Sequence, residues 1–407
     1  MEEINGIFWI PDNGPKVKGL LMLGETVRLN IKEDFSTTLK AGFSDPKSRL
    51  HLVVGESTDG EPITLAEGRF DSIGSNQFQM AFLGLHFSNI ANFIIDQTSV
   101  EYTYLERWLN LNSMSANRKR MLEGKMPYTY EGFQLLIPDF SATAHVQLKY
   151  SLDGDQITTD TFHQSAVVDF SFSKACDIGK LISLLVRFQL YLSLVSGIPI
   201  EFGKISVNPS GYSVRDKVVF HFGSRKRKAH LLPQNAVSPF LSFDDLQGSL
   251  KETFSCWGEF MNNHESVYSL FLALMYFTPE FAENYFLVLI QAIEILHRRT
   301  HNETYLDRGT YANFEQHLFE KVPLETYPQE FRGHFKDLIK NGNQYSLRKR
   351  LKDYLKNELF DYQTSLFLDQ TKPIDFVHKV VHTRNHFTHE GPAGGSGVAK
   401  GDELVQL

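Results

Sequence analysis

The sequence is poor in cysteine. Cys176 and Cys256 are the only two, they stand far apart, and no spacing pairs them, which argues against a disulfide framework or a cysteine-rich zinc site. Long uninterrupted apolar runs are missing as well. The most apolar stretch, residues 178–200, is broken by Lys180, Arg187 and Gln189, so it reads as a core helix that does not span a membrane. The opening Met1-Glu2-Glu3-Ile4-Asn5 is acidic where a secretory leader would be basic. A soluble, cytoplasmic protein with no membrane contact is expected. There is no Walker loop, Gly-x-Gly-x-x-Gly, Gly-x-Ser-x-Gly elbow, His-Glu-x-x-His or kinase motif set. Nor is there surplus positive charge: the formal net charge of -7 argues against a bulk nucleic-acid coat while leaving room for a local basic groove.

What is present divides into two halves, and 407 residues suffice for two or three domains. Residues 1 to about 240 read mainly as strands. Val27-Arg28-Leu29-Asn30-Ile31 alternates at a period of two, the mark of a half-buried strand. Residues 50–54 and 63–65 flank Ser57-Thr58-Asp59-Gly60, a hairpin turn. Other strands are expected at 6–11, 17–23, 77–87, 100–104, 132–137, 146–151, 167–172 and 218–222. From about 241 the apolar period becomes helical. Ser242-Phe243-Asp244-Asp245 resembles a capping box opening a helix through Phe260. Residues 266–277 read as a buried helix, and Thr278-Pro279-Glu280 starts another to about Arg299. Helices at 312–321, 328–340, 347–359 and 374–387 complete a bundle. The expected fold class is α+β overall, with a β-rich domain over 1–240 followed by an all-α domain over 241–407.

The densest chemistry lies near the end. Residues 375–389, opened by Pro373 and closed by Gly391-Pro392, read as a helix of about four turns. At ~100° per residue Phe376, Val377, Val380, Val381 and Phe387 share a face, and Arg384 falls in its middle. A guanidinium cannot be neutralised, so it is costly to bury unless an anion or several acceptors meet it. On a continued helix His389 points ~140° away from Arg384, whereas a last turn loosened ahead of Gly391-Pro392 brings it beside Arg384 and Asn385. A fixed cation, an amide and an imidazole at one point suit a phosphodiester. Arg holds phosphate oxygens in pairs, Asn orients, and His moves a proton near neutrality. The alternative is an Arg paired with a neighbouring carboxylate and a surface His at a helix end.

Other residues carry two readings. Glu294, at the edge of the apolar face of its helix, could pair with Arg384, or with Arg298 four residues on. His378, His382 and His386 form a stripe that could bind zinc or nickel, or be a solvated face. The clusters Arg118-Lys119-Arg120 and Arg225-Lys226-Arg227-Lys228 could contact a phosphate backbone or be solvated loops.

Arg384-Asn385-x-x-x-His389 at the end of a late helix resembles the signature of HEPN ribonucleases, and residues 289–298, Glu294 included, resemble the opening helix of such domains. In the first half, residues 6–11 with 17–19, 62–65 and 105–109 resemble the β-rich domain of ApeA-type anti-phage HEPN proteins. The resemblance covers nearly the whole chain. It implies a metal-independent endoribonuclease without cofactor, assembled as a homodimer through the HEPN domain so that two copies of the motif meet. Arg384, Asn385 and His389 would be catalytic and Glu294 supporting, and the basic cluster Arg225, Lys226, Arg227 and Lys228 would, on its charge rather than on the resemblance, be the candidate contact to RNA. The substrate would be tRNA or mRNA, cut by attack of the ribose 2′-hydroxyl, in an abortive infection response to a phage trigger. The β-rich half would sense, restrain or position.

One feature departs from the family. After His389 the chain runs through a Gly-rich stretch to Asp402-Glu403-Leu404, which looks like a helix's first turn where HEPN bundles carry one more helix. The final helix is expected to be truncated or supplied differently. Two rival readings stand beside the ribonuclease. The first is a non-catalytic HEPN module that binds RNA or nucleotide, with the β-rich half as sensor. The second is a metal enzyme built on His378, His382 and His386.

Overall fold

The computed structural model describes residues 2–11, 16–31, 50–70, 75–111, 133–153, 161–212, 217–223, 238–276, 281–301, 303–367, 372–389, 398–400 and 404. They fall into two compact units, Met1–Glu259 and Phe260–Leu407.

The first unit is built on antiparallel strands: β1 (Glu2–Trp9), β2 (Val17–Leu23), β3 (Val27–Ile31), β4 (Leu50–Ser57), β5 (Pro62–Phe70), β6 (Ser75–Leu83), β7 (Ile95–Tyr102), β8 (Gln134–Ile137), β9 (Ala142–Asp153), β10 (Thr161–Cys176), β11 (Phe202–Pro209) and β12 (Val218–Phe222). Their order is β3-β2-β1-β4-β5-β6-β12-β11-β7-β10-β9-β8, with a further pairing of β3 to β6. The two halves of β6 explain this shape. Ser75 to Phe78 pair with β3, and Met80 to Leu83 pair with β12. The first half therefore closes β1 to β6 into a barrel, which leaves no free edge there, while the second half carries the sheet onward. Phe8, Leu21, Leu29, Ile63, Leu65 and Phe78 fill the barrel. Gly55 permits the central ring to sit there, because a Cβ at that position would stand 2.4 Å from Cδ1 of Phe8. The hairpin at Ser57 to Gly60 forms as expected, with the Gly60 N–H donating to the Ser57 carbonyl at 3.0 Å and Gly60 at φ +81°.

Helix α1 (Leu105–Trp108) and the long helix α2 (Ile178–Ser196) belong to this unit. Asp177 caps α2 by accepting from the Lys180 N–H at 2.9 Å, and Gly197 ends it in the left-handed conformation. By length and composition α2 could cross a membrane, but its apolar side chains pack inside the unit. The Tyr102 hydroxyl donates to the Leu185 carbonyl at 3.2 Å, and the rings of Tyr102 and Phe170 lie against Phe188.

Helices α3 (Phe243–Leu246) and α4 (Leu250–Asn263) follow. The Ser242/Asp245 capping box is present. The division between units falls at Glu259, inside α4, so these helices belong largely with the strands, where the sequence reading placed the boundary near 240. The reason is aromatic packing: Phe243 meets Trp108 at 5.6 Å between ring centres, Phe254 meets Phe188 at 5.7 Å, and Trp257 donates to the Arg187 carbonyl. A helical period shows that a face is apolar but not which core receives it.

The second unit comprises α5 (Glu265–Tyr276), α6 (Ala282–Thr300), α7 (Arg308–Lys321), α8 (Gln329–Asn341), α9 (Leu347–Asp353), a π-helical turn (Tyr354–Glu358), α10 (Gln363–Phe367) and α11 (Pro373–His389). The start signal at Thr278 to Glu280 lies outside the described residues. The core joins Phe286 and Ile290 of α6, Leu351 of α9, Leu355, and Val377, Val380 and Val381 of α11, together with Ala399 and Leu404 beyond it. Only Val267 and Leu274 of α5 are buried, so this helix is less enclosed than its composition suggests. Helices α7 and α8 contribute no buried residue and meet through Phe319 and Phe335.

Candidate active site

Helix α11 presents the motif. Pro373 occupies its first turn with Asp375, which suits the positive end of the helix dipole. Val377, Val380, Val381 and Thr383 turn inward and are buried. Thr383 is fully enclosed because its hydroxyl accepts the Ala399 N–H at 3.0 Å, which satisfies both groups where water is excluded. Arg384 is half-buried, and Asn385 and His389 are exposed.

The helix stays regular through His389, with no loosened turn ahead of Gly391-Pro392. Proline restrains chiefly the residue before it, here Gly391, two positions beyond the last helical residue. Arg384 and His389 therefore leave the axis ~140° apart. Asn385 joins them. Nη1 of Arg384 donates to Oδ1 of Asn385 at 3.3 Å, and Asn385 and His389, at i and i+4, share a flank with Cβ atoms about 6 Å apart. The fold thus brings Arg384 to Asn385 and sets Asn385 beside His389, but does not join Arg384 directly to His389 within one chain.

Glu294 does not serve Arg384. Its Oε1 accepts from Nη2 of Arg298 at 2.8 Å, along the same helix. An i,i+4 pair forms locally and needs no tertiary approach. Among the described residues no carboxylate lies within 4.0 Å of Arg384. The basic segments Arg118 to Arg120 and Arg225 to Lys228 lie outside the described residues.

Two arrangements escaped the sequence reading. The first is buried between α6 and α9. Arg350 is 3% exposed and His297 0%. Arg350 donates from Nη1 to Nδ1 of His297 at 3.1 Å and from Nε to the Tyr345 carbonyl at 2.9 Å. An arginine only donates, so Nδ1 of His297 is the acceptor and the imidazole is neutral with its proton on Nε2. That Nε2 finds no partner among the described residues, and the rings of His297 and Tyr354 meet nearly at right angles with centres 5.1 Å apart. Burial, then the neighbouring His301 and Arg350, hold His297 below the ordinary histidine range. Burial also lowers Arg350 and raises Tyr354.

The second arrangement is on α11 itself. At ~100° per residue His378, His382, Asn385 and His389 fall within a ~60° flank, a set at i, i+4, i+7 and i+11. The grouping with His386 follows i+4 steps alone and drifts away from this line. Nη1 of Arg348 approaches Nδ1 of His378 at 3.5 Å, so α9 borders the flank. Among the described residues no three His, Cys, Asp or Glu side chains gather as a metal-binding group.

A β-barrel extended by a second run of strands, followed by a helical unit with Arg-Asn-x-x-x-His on its late helix, describes a two-part protein with a HEPN-type C-terminal unit. Comparison with family models makes this specific. The model for ApeA N-terminal domain 1 matches residues 3–257, ending next to the division at Glu259, and that for Apea-like HEPN matches residues 287–407. The chain belongs to the ApeA family. No curated protein and no solved structure matches it.

Proposed function

We propose that this protein is an anti-phage endoribonuclease that cleaves RNA without a metal, at a site assembled from two copies of the chain. The observation that carries the reading is the surface of α11: an exposed His389 and Asn385 on one flank, with the Arg384 guanidinium drawn to the Asn385 amide. HEPN domains of this kind are typically ribonucleases. The ~140° between Arg384 and His389 favours a site completed by a second copy, since one straight helix cannot aim both at one phosphorus.

The chemistry follows from the groups. A histidine acting as base takes the proton of a ribose 2′-hydroxyl, and the 2′-oxygen attacks the adjacent phosphorus. The bond to the 5′-oxygen breaks, and that oxygen leaves with a proton supplied by an acid. The Arg384 guanidinium steadies the extra negative charge on the phosphorane, and Asn385 orients the phosphate or the imidazole. The products are a 2′,3′-cyclic phosphate and a 5′-hydroxyl. DNA lacks the nucleophile and stays intact. Cleavage of host RNA in the cytoplasm would halt an infected cell, with the β-rich unit sensing, restraining or positioning.

The test is cleavage of a mixed tRNA and mRNA pool by the full chain in EDTA, beside His389→Ala. Cutting by the parent alone, with cyclic-phosphate ends, is the expected result. Equal cutting by both would overturn the assignment of His389, and activity abolished by EDTA would move the chemistry to a metal.

A further inference from the structure

We infer that the flank of α11 carrying His378 and His382, together with Arg348 of α9, is a binding track for the RNA backbone that leads the strand to Asn385 and His389. The inference rests on the ribonuclease reading for the identity of its ligand, but its geometry is independent of catalysis. His378, His382, Asn385 and His389 lie in one line along the helix, about 16 Å from first to last at 1.5 Å per residue. All four are exposed. A line of that length meets several successive phosphates rather than one.

Charge on this flank favours an anion. Arg348 stands beside His378 at 3.5 Å and, among the described residues, has no carboxylate within 4.0 Å. The carboxylate of its own helix, Asp353, is held by Lys349 at 2.6 Å. Arg348 therefore spends its donor on a neutral imidazole nitrogen, a weak acceptor that a phosphate oxygen would displace. His378, once released, and His382 each offer a ring N–H to the backbone. Lys352, at i+4 from Arg348, adds a second cation to the same face of α9. Asp375, exposed in the first turn of α11, lies near the line of this flank and marks its far end, because a carboxylate repels phosphate. The track thus has a closed end at Asp375 and a reactive end at His389. A duplex would need a groove or ridge to match, whereas a single exposed helix flank suits a single strand.

The experiment measures binding of a labelled single-stranded RNA of mixed sequence to the full chain carrying His389→Ala, so that binding is read without cleavage. Arg348→Ala with His382→Ala should weaken binding about five- to tenfold and lower the salt-dependence slope by roughly 0.7 per phosphate contact removed. Arg348→Lys should recover part of the loss, and Lys336→Ala on α8 should have no effect. In the cutting enzyme the same pair should raise KM and spare kcat. Unchanged binding and unchanged salt slope in a folded Arg348/His382 variant, with cutting intact in the parent, would overturn the track and leave the ribonuclease standing. Weakened binding in a chain whose parent never cuts would support the track and remove the ribonuclease. A parent that binds no RNA would remove both.

Discussion

Arg350 and His297 are joined by a hydrogen bond from Nη1 to Nδ1 at 3.1 Å, and both side chains are buried. The bond requires a neutral imidazole. In the unfolded chain His297 takes a proton near the ordinary histidine value of about 6.5, whereas in the fold its pKa is held lower. Protonation therefore favours the unfolded chain. The stabilisation is complete above the unfolded value and is lost as pH falls through the lowered one. Of its neighbours, His301 and Arg350 push the same way, and Asp353 and Glu303 oppose them. Denaturation at pH 7.5 and 5.5 should show the helical unit weakening with acid, and His297→Asn, which keeps an acceptor but cannot titrate, should flatten that slope. An unchanged slope would show that other groups set it.

Arg350→Met should cost about 2–4 kcal/mol, since the buried His297 nitrogen and the part-buried Tyr345 carbonyl both lose their donor. Combining it with His297→Phe should cost less than the sum of the two single changes, because the second removes an orphaned group. A double-mutant cycle of denaturation midpoints checks this, and strict additivity would mean that the two side chains are not coupled.

Thr383→Val should lower stability by about 1–2 kcal/mol, because the buried Ala399 N–H loses its acceptor at nearly constant volume. Thr383→Ser should retain most of the stability. Limited proteolysis should cut the segment after α11 faster in the Val variant than in the Ser variant.

Glu294→Gln should change little: an i,i+4 pair with a half-exposed Arg298 is worth no more than about 0.5 kcal/mol. RNA cutting should persist. A loss as large as that expected for His389→Ala, about a hundredfold or more, would place Glu294 at the reaction centre despite its partner.

Strand positions were largely legible because alternation is a local property: β2 and β3 fall at 17–23 and 27–31, as the pattern predicts. Strand β11 at Phe202–Pro209 was not, since Gly203, Lys204 and Pro209 blur its period. Barrel closure depends on β6 dividing its pairing between β3 and β12, residues far apart in sequence, and no local pattern reports that. In the helical unit the apolar face of α11 was readable, and so was the anomaly of Arg384 upon it. The sequence leaves Glu294 between Arg384 and Arg298, and the partner one helical turn away takes it, because an i,i+4 pair needs no tertiary approach. Thr383 gave no signal as a buried residue because its burial depends on a backbone N–H sixteen positions later.

The contact between Thr383 and Ala399 has a practical consequence for anyone handling this protein. Ala399 and Leu404 are both packed into the helical core, and the Ala399 N–H is fastened to Thr383, one position before Arg384. A label or substitution placed at Ala399 or Leu404 therefore acts on the packing beside Arg384, so an apparently inert preparation altered there should be compared with the unaltered chain before it is judged inactive.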